Sequence, residues 1–187
     1  MQRLHILSLL LVACFATAIS AQTPATAPKP DPELKKLAVY LGHWTYEAEY
    51  KPGPLGPGGK ATGTRTFQMI LGGFFGERRD AEKDAMGTES DALAIIGYDP
   101  VNKNFTVSYF DDGGGTYSGV FTLSGNTVTW SGKSISVTGK QYPLRGAGIH
   151  SADWMSYTET AEVSSDGKTW VPFYEIKYTK VKPAPKK

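Results

Sequence analysis

Trp44, Tyr46, Ala48 and Tyr50 alternate with Thr45, Glu47 and Glu49. This two-residue period recurs down the chain, broken at short intervals by glycine and proline, and it is the strongest constraint on the fold. A period of two sends successive side chains to opposite faces, as in a strand half in a core and half in water. With 21 glycines and 12 prolines in 187 residues, long helices are disfavoured and short strands joined by turns are favoured. After the run at 43–50, strand-like runs follow at 60–71, 74–83, 88–98, 103–110, 116–123, 127–138, 149–163 and 169–180. Their turns are legible as Gly72-Gly73, Asp99-Pro100-Val101-Asn102, Asp112-Gly113-Gly114-Gly115, Ser124-Gly125-Asn126 and Ser164-Ser165-Asp166-Gly167. Strand after strand with no helix between them predicts an antiparallel meander. A flat sheet of that width would leave two bare edges, which closure removes. The predicted fold is therefore mainly β: an antiparallel up-and-down barrel of about 8–10 strands with one short N-terminal helix.

The segments outside the barrel have other signatures. Residues 1–21 begin with Arg3 and His5, run apolar from Ile6 to Phe15 and end in small residues, the pattern of a secretory signal peptide. The chain is expected to be exported, periplasmic or secreted, with cleavage near Ser20 or Ala21. Leu11-Val12-Ala13-Cys14 resembles a lipobox and keeps a lipid-anchored alternative through Cys14 open. Cys14 is the single cysteine, so the domain that follows has neither a disulfide nor a thiol nucleophile. Residues 22–30 read as a disordered Pro/Ala/Thr linker and 182–187 as a basic disordered tail. The barrel domain occupies 31–181. It opens with a helix over 31–41: Asp31 as N-cap, Pro32 at the first position, and Leu34, Leu37, Ala38 and Leu41 on one α-helical face. Gly42 ends that helix.

Leu41-Gly42-His43-Trp44 after a short helix resembles the Gly-x-Trp opening of the calycin superfamily, the lipocalins and fatty-acid-binding proteins. Five stretches together resemble, more narrowly, the bacterial DUF1579 family: 37–44, the loop 51–59, Leu71-Gly72-Gly73-Phe74-Phe75, Ile96-Gly97-Tyr98-Asp99-Pro100 and Asp166-Gly167-Lys168-Thr169-Trp170. The resemblance spans roughly 31–180 and implies a lipocalin-like barrel in exported or cytosolic bacterial proteins. It carries over no catalytic residues. It gives Gly42 and Trp44 structural roles, with Trp44 buried at one barrel end against Leu37 or Leu41. The lipocalin pattern places an Arg on the last strand over that Trp, where this chain offers Lys177 or Lys180.

Chemistry-bearing motifs are sparse. His43 and His150 are the histidines after the leader, and no Gly-x-Ser-x-Gly elbow, His-x-x-x-His or phosphate-binding glycine loop occurs. No metal ligand set is predicted. His150 is one candidate for a single axial haem ligand, because the chain distantly resembles nitrobindin-like barrels. A net charge of +2 argues against a nucleic-acid surface. The inward phase collects Trp44, Tyr46, Phe67, Phe105, Tyr109, Tyr117, Phe121, Trp130, Tyr174, Ile176 and Tyr178, a wall suited to a small-molecule pocket or to a filled core. Glu77-Arg78-Arg79-Asp80 follows Phe74-Phe75 in one strand, so each face carries one acid and one base. Either one pair enters the lumen or both are rim charges. The first alternative, with Phe75 as an aromatic step, makes Phe75, Glu77 and Arg79 lumenal and Arg79 the anchor, beside Tyr46, Tyr109 and Tyr174. The functional expectation is binding of a small, partly apolar, acidic ligand in the lumen. An enzyme using the same pocket, a hydrolase or isomerase, and a packed protein acting through its outer surface are the alternatives. This reading assigns no nucleic acid, no transmembrane span and no oligomeric state.

Overall fold

A computed structural model describes residues 27–182; the leader with Cys14, most of the 22–30 linker and the tail from 183 onward lie outside the described residues. Ten antiparallel strands form one closed barrel: β1 (Gly42–Tyr50), β2 (Gly59–Ile70), β3 (Phe75–Asp84), β4 (Glu89–Asp99), β5 (Asn104–Asp111), β6 (Thr116–Ser124), β7 (Thr127–Ile135), β8 (Gln141–His150), β9 (Ser156–Ser164) and β10 (Trp170–Lys180). Each strand pairs with its sequence neighbours, and β1 closes on β10 in a register that sets Trp44 opposite Lys180 and Tyr46 opposite Tyr178. The single expected run at 149–163 is two strand segments, β8 and β9, joined around Ser151–Met155. Most of β8 is not legible as a strand, because Pro143, Gly146 and Gly148 interrupt its pattern. Pro143 faces outward opposite Lys133.

The N-terminal helix, Pro32–Tyr40, is a 3₁₀ helix capped by the Asp31 carboxylate, which accepts from the Glu33 amide at 2.9 Å. This corrects the expected face. At three residues per turn, Leu34, Leu37 and Tyr40 stack on one edge. Leu34 and Leu37 are buried with Phe67, Ala94, Ile96 and Phe105, and Tyr40 packs against the same cluster. Ala38 and Leu41 are exposed. The helix closes one end of the barrel.

Trp44 is 1% exposed and packs edge-on against Tyr157. Its link to the helix runs through Tyr40, whose carbonyl accepts from the indole Nε1 at 2.8 Å, and not through Leu37 or Leu41. Lys180 takes the place of the expected cation over the indole: its Nζ lies 5.2 Å from the Trp44 ring centre and donates to the Val39 carbonyl at 3.0 Å. Gly42 begins β1 at φ +107°, a conformation that L side chains rarely adopt.

At the opposite end the 51–58 loop folds back over the mouth. Gly53 and Gly56 bond each other's backbone in both directions, at 2.9 and 3.1 Å. Leu55 packs against the cluster of Tyr142, Leu144 and Val163. Trp44→Ala is expected to cost about 3–5 kcal/mol, the range for large aromatic deletions in cores, measured by denaturant titration. A loss below about 1 kcal/mol would remove Trp44 from the core.

Candidate functional site

The phase of β3 sets the site. Even-numbered residues face inward: Gly76 is buried, and Arg78, Asp80 and Glu82 line the lumen. Phe75, Glu77 and Arg79, expected inside, lie on the outer face. Phe75 is exposed, Glu77 accepts from Gln68 and Arg79, and Arg79 is 61% exposed. The reason is steric. A Cβ on Gly76 would stand 2.4 Å from Phe67 Cζ, so the Phe67 ring fills the place where an inward residue 76 would project. The aromatic step comes from β2, and a glycine makes room for it.

The other inward candidates are placed as expected. Tyr46, Tyr109 and Tyr174 line a cavity of about 430 Å³ with Tyr40, Tyr50, Tyr117, Tyr157 and Tyr178. Glycines leave room on the wall for these rings. A Cβ would come within 2.3 Å of Tyr46 at Gly63, within 2.2 and 2.5 Å of the Tyr117 hydroxyl at Gly119 and Gly132, and within 2.4 Å of Trp130 at Gly146. Side chains there would push the rings into the space they now border.

Two guanidiniums enter this wall. Arg65 on β2 stands opposite Asp80 on β3 and binds it in a fork, Nε to Oδ1 at 2.6 Å and Nη2 to Oδ2 at 3.3 Å. It also donates to the Tyr157 hydroxyl and lies 4.2 Å over the Tyr178 ring. Arg78 reaches the same carboxylate, with Nε 3.1 Å from Oδ2, but off the line a hydrogen bond needs, so Nε has no partner. Arg78 sits 5.5 Å from the Tyr109 ring centre and keeps 25% of its side chain exposed, inside the lumen. Burial works to raise the Asp80 carboxyl, but the two guanidiniums outweigh it and hold Asp80 below the usual carboxylate range. The Tyr117 hydroxyl and Trp130 Nε1 are likewise buried without partners. Glu82 accepts from Tyr50 at 2.8 Å, and Glu159 on β9 accepts from Tyr174. Burial raises the tyrosines, Tyr109 to about 12 and Tyr174 well above its ordinary value.

The sequence marks the charged run on β3 but does not single out Arg65 and Glu159. Phase is the signal that could find them. Arg65 lies two residues before inward Phe67, and Glu159 two after Tyr157.

His150 ends β8 and is 2% exposed. Nε2 is hydrogen-bonded with the Tyr40 hydroxyl at 2.9 Å, Nδ1 has no partner, and the ring lies 4.6 Å from both Trp154 and Tyr157. A ring enclosed by three aromatics with Nε2 engaged does not fit an axial haem role. Among the described residues, no group of three His, Cys, Asp or Glu stands together to hold a metal. No helix among them is long and apolar enough to cross a membrane.

The fold and the lumen together define a closed up-and-down β-barrel with an aromatic interior and a buried charged cluster. The chain belongs to the family described as "Protein of unknown function (DUF1579)", whose model matches residues 29–180. Its structure is similar to Rv2717c from M. tuberculosis, with a TM-score of 0.60 at 12% identity, over 82% of this chain and 100% of that one. Two further similar structures are a de novo designed fluorescence-activating β-barrel and EF1p2_mFAP2b bound to DFHBI. The first has TM-score 0.41 at 14% identity over 78% of this chain and 97% of that one. The second has TM-score 0.45 at 8% identity over 79% and 98%. Among curated proteins, none matches the chain. At these identities the likeness to Rv2717c is one of fold.

Asp80→Asn is expected to destabilise by about 3–5 kcal/mol, because it leaves two buried guanidiniums without a counter-charge; chemical denaturation measures it. A second expectation concerns acid. Burial lowers His150 from 6.5 to about 4, so the unfolded chain binds the extra proton first. Its contribution is complete above pH 6.5 and is lost as pH falls toward 4, amounting to about 3 kcal/mol. Stability measured across that window should flatten in His150→Gln.

Proposed function

We propose that this protein binds a small, partly apolar molecule carrying an anionic group, in the barrel lumen, with Arg78 as the anchor. One observation carries this reading. Arg65 and Arg78 share the single Asp80 carboxylate, Arg65 holds both of its oxygens, and Arg78 is left with a quarter of its side chain open to the cavity. A guanidinium in that state offers paired donors to a planar acid. A cavity of about 430 Å³ lies in the range of small-molecule sites, which are mostly aromatic and apolar with a few fixed polar groups. The polar groups at the centre are set to hold charge. Asp80 is kept ionised and the tyrosines are kept protonated, which supports a binder over a proton-transfer site. The leader-like segment supports the further proposal that binding takes place outside the cytoplasmic membrane.

Native mass spectrometry of the protein from its own host tests this. We expect a co-purified small acid that Arg78→Gln loses and Arg79→Gln keeps, since Arg79 points outward. Rebinding of that acid should weaken by about 2–5 kcal/mol in Arg78→Gln, the range for truncating one member of a buried charge pair. Protein that carries no acid, or variants that carry it equally, would overturn the reading.

A further inference from the structure

The lumen has a second pole. Its lining holds four carboxylates, Asp80, Glu82, Asp111 and Glu159, against two guanidiniums, Arg65 and Arg78. Both guanidiniums are committed to the Asp80 side. Of the remaining acids, Asp111 accepts the Gly115 amide at 2.9 Å in the turn it belongs to, and Glu82 accepts from Tyr50 near the mouth. Glu159, like Glu82, is held by one tyrosine, but it stands on β9, away from the Arg78, Asp80 and Glu82 face of β3. Tyr174 is its hydrogen-bond partner, and among the described residues no cationic side chain pairs with it.

Its surroundings leave it room. Along the sheet β9 is four strands from β3, so Glu159 and Arg78 stand on different parts of the wall. On β8 the residue opposite Glu159 is Gly148, where even a Cβ would stand 3.9 Å from the Glu159 side chain. The wall beside the Glu159 Cβ and Cγ is thus bare backbone. Beside burial, the charge of Glu159 helps to raise Tyr40, Tyr117, Tyr157, Tyr174 and Tyr178, which also line the lumen.

A ligand bearing only an acid would add negative charge to a lumen whose carboxylates already outnumber its cations. Close to those carboxylates that is costly. We infer that the ligand is dipolar, an aromatic or partly apolar molecule whose acidic group meets Arg78 and whose protonated amine meets the free side of the Glu159 carboxylate across the cavity. The inference rests on the Arg78 reading above and names the chemistry of the ligand's other end. An aromatic amino acid is the simplest member of this class.

Isothermal titration calorimetry with three probes tests it: indole-3-acetate carries the acid, tryptamine the amine, and tryptophan both. We expect tryptophan to bind the protein tighter than either single-charge probe by about tenfold or more, the size of one charged hydrogen bond. Glu159→Gln should abolish the advantage of tryptophan over indole-3-acetate and leave indole-3-acetate binding no weaker. If indole-3-acetate binds as tightly as tryptophan to the unaltered protein, the inference falls and the Arg78 anchor stands. If tryptophan keeps its advantage in Glu159→Gln, Glu159 is not the second pole. If neither acid binds, both readings fall. The comparison of probes on the unaltered protein decides the question even if the variant does not fold.

Discussion

Inside the barrel, two arginines compete for one aspartate, and the arrangement of the interior follows from how that competition is resolved. Arg65 takes the fork position on Asp80, donates onward to Tyr157 and lies over Tyr178. Arg78 takes the second place, near Tyr109, with an unpartnered Nε. Burying an ion is tolerable only when its hydrogen-bonding capacity is met. The rings around Arg65 meet that need through a hydroxyl and a π face. Around Arg78 the need is met only in part, and the cavity lies there.

The second constraint is packing. Large rings in a closed barrel either meet at the axis and fill it or lie against the wall and leave it open. Here inward glycines decide for the wall. Gly119 and Gly132 receive Tyr117, Gly146 receives Trp130, Gly63 receives Tyr46 and Gly76 receives Phe67. Each pairing gives the place of a side chain to atoms of a neighbouring ring. The result is a wall of rings around a cavity of about 430 Å³.

These two constraints explain what can be read from the sequence and what cannot. Period-two runs and turn residues point to closure, antiparallel order and the aromatic inward phase of β1, β5, β6, β7 and β10, because alternation is a local property. The phase of β3 is misread when Phe75 is taken for the lumenal step. Only the contact between Phe67 and Gly76, across strands, shows that a glycine is the inward residue. The helix face is misread for a similar reason. Leu34, Leu37, Ala38 and Leu41 satisfy an α-helical stripe, but tertiary packing selects a 3₁₀ helix whose edge is Leu34, Leu37 and Tyr40. Most of β8 is hidden by Pro143 and two glycines, one of which is the seat for Trp130. Arg65 and Glu159 lie in plain inward phase, yet an isolated charge on a strand ordinarily faces water and so draws no notice. Their partners come from other strands.

Stability alone does not account for this interior. A buried ion pair is weak evidence for stability, since well-packed apolar side chains of similar volume often serve as well or better. A barrel of this circumference could fill its centre with branched aliphatics. Instead six charged side chains line it, among them two guanidiniums sharing one fully engaged carboxylate and a glutamate held by one tyrosine. The groups whose needs the fold meets, Arg65 and Asp80, act as the frame. Those whose needs it leaves open, Arg78 and Glu159, face the cavity from different parts of the wall. A fold that satisfies the first pair so fully and leaves the second pair open has its unused interaction energy at the surface of the cavity, where a molecule of complementary charge would draw on it.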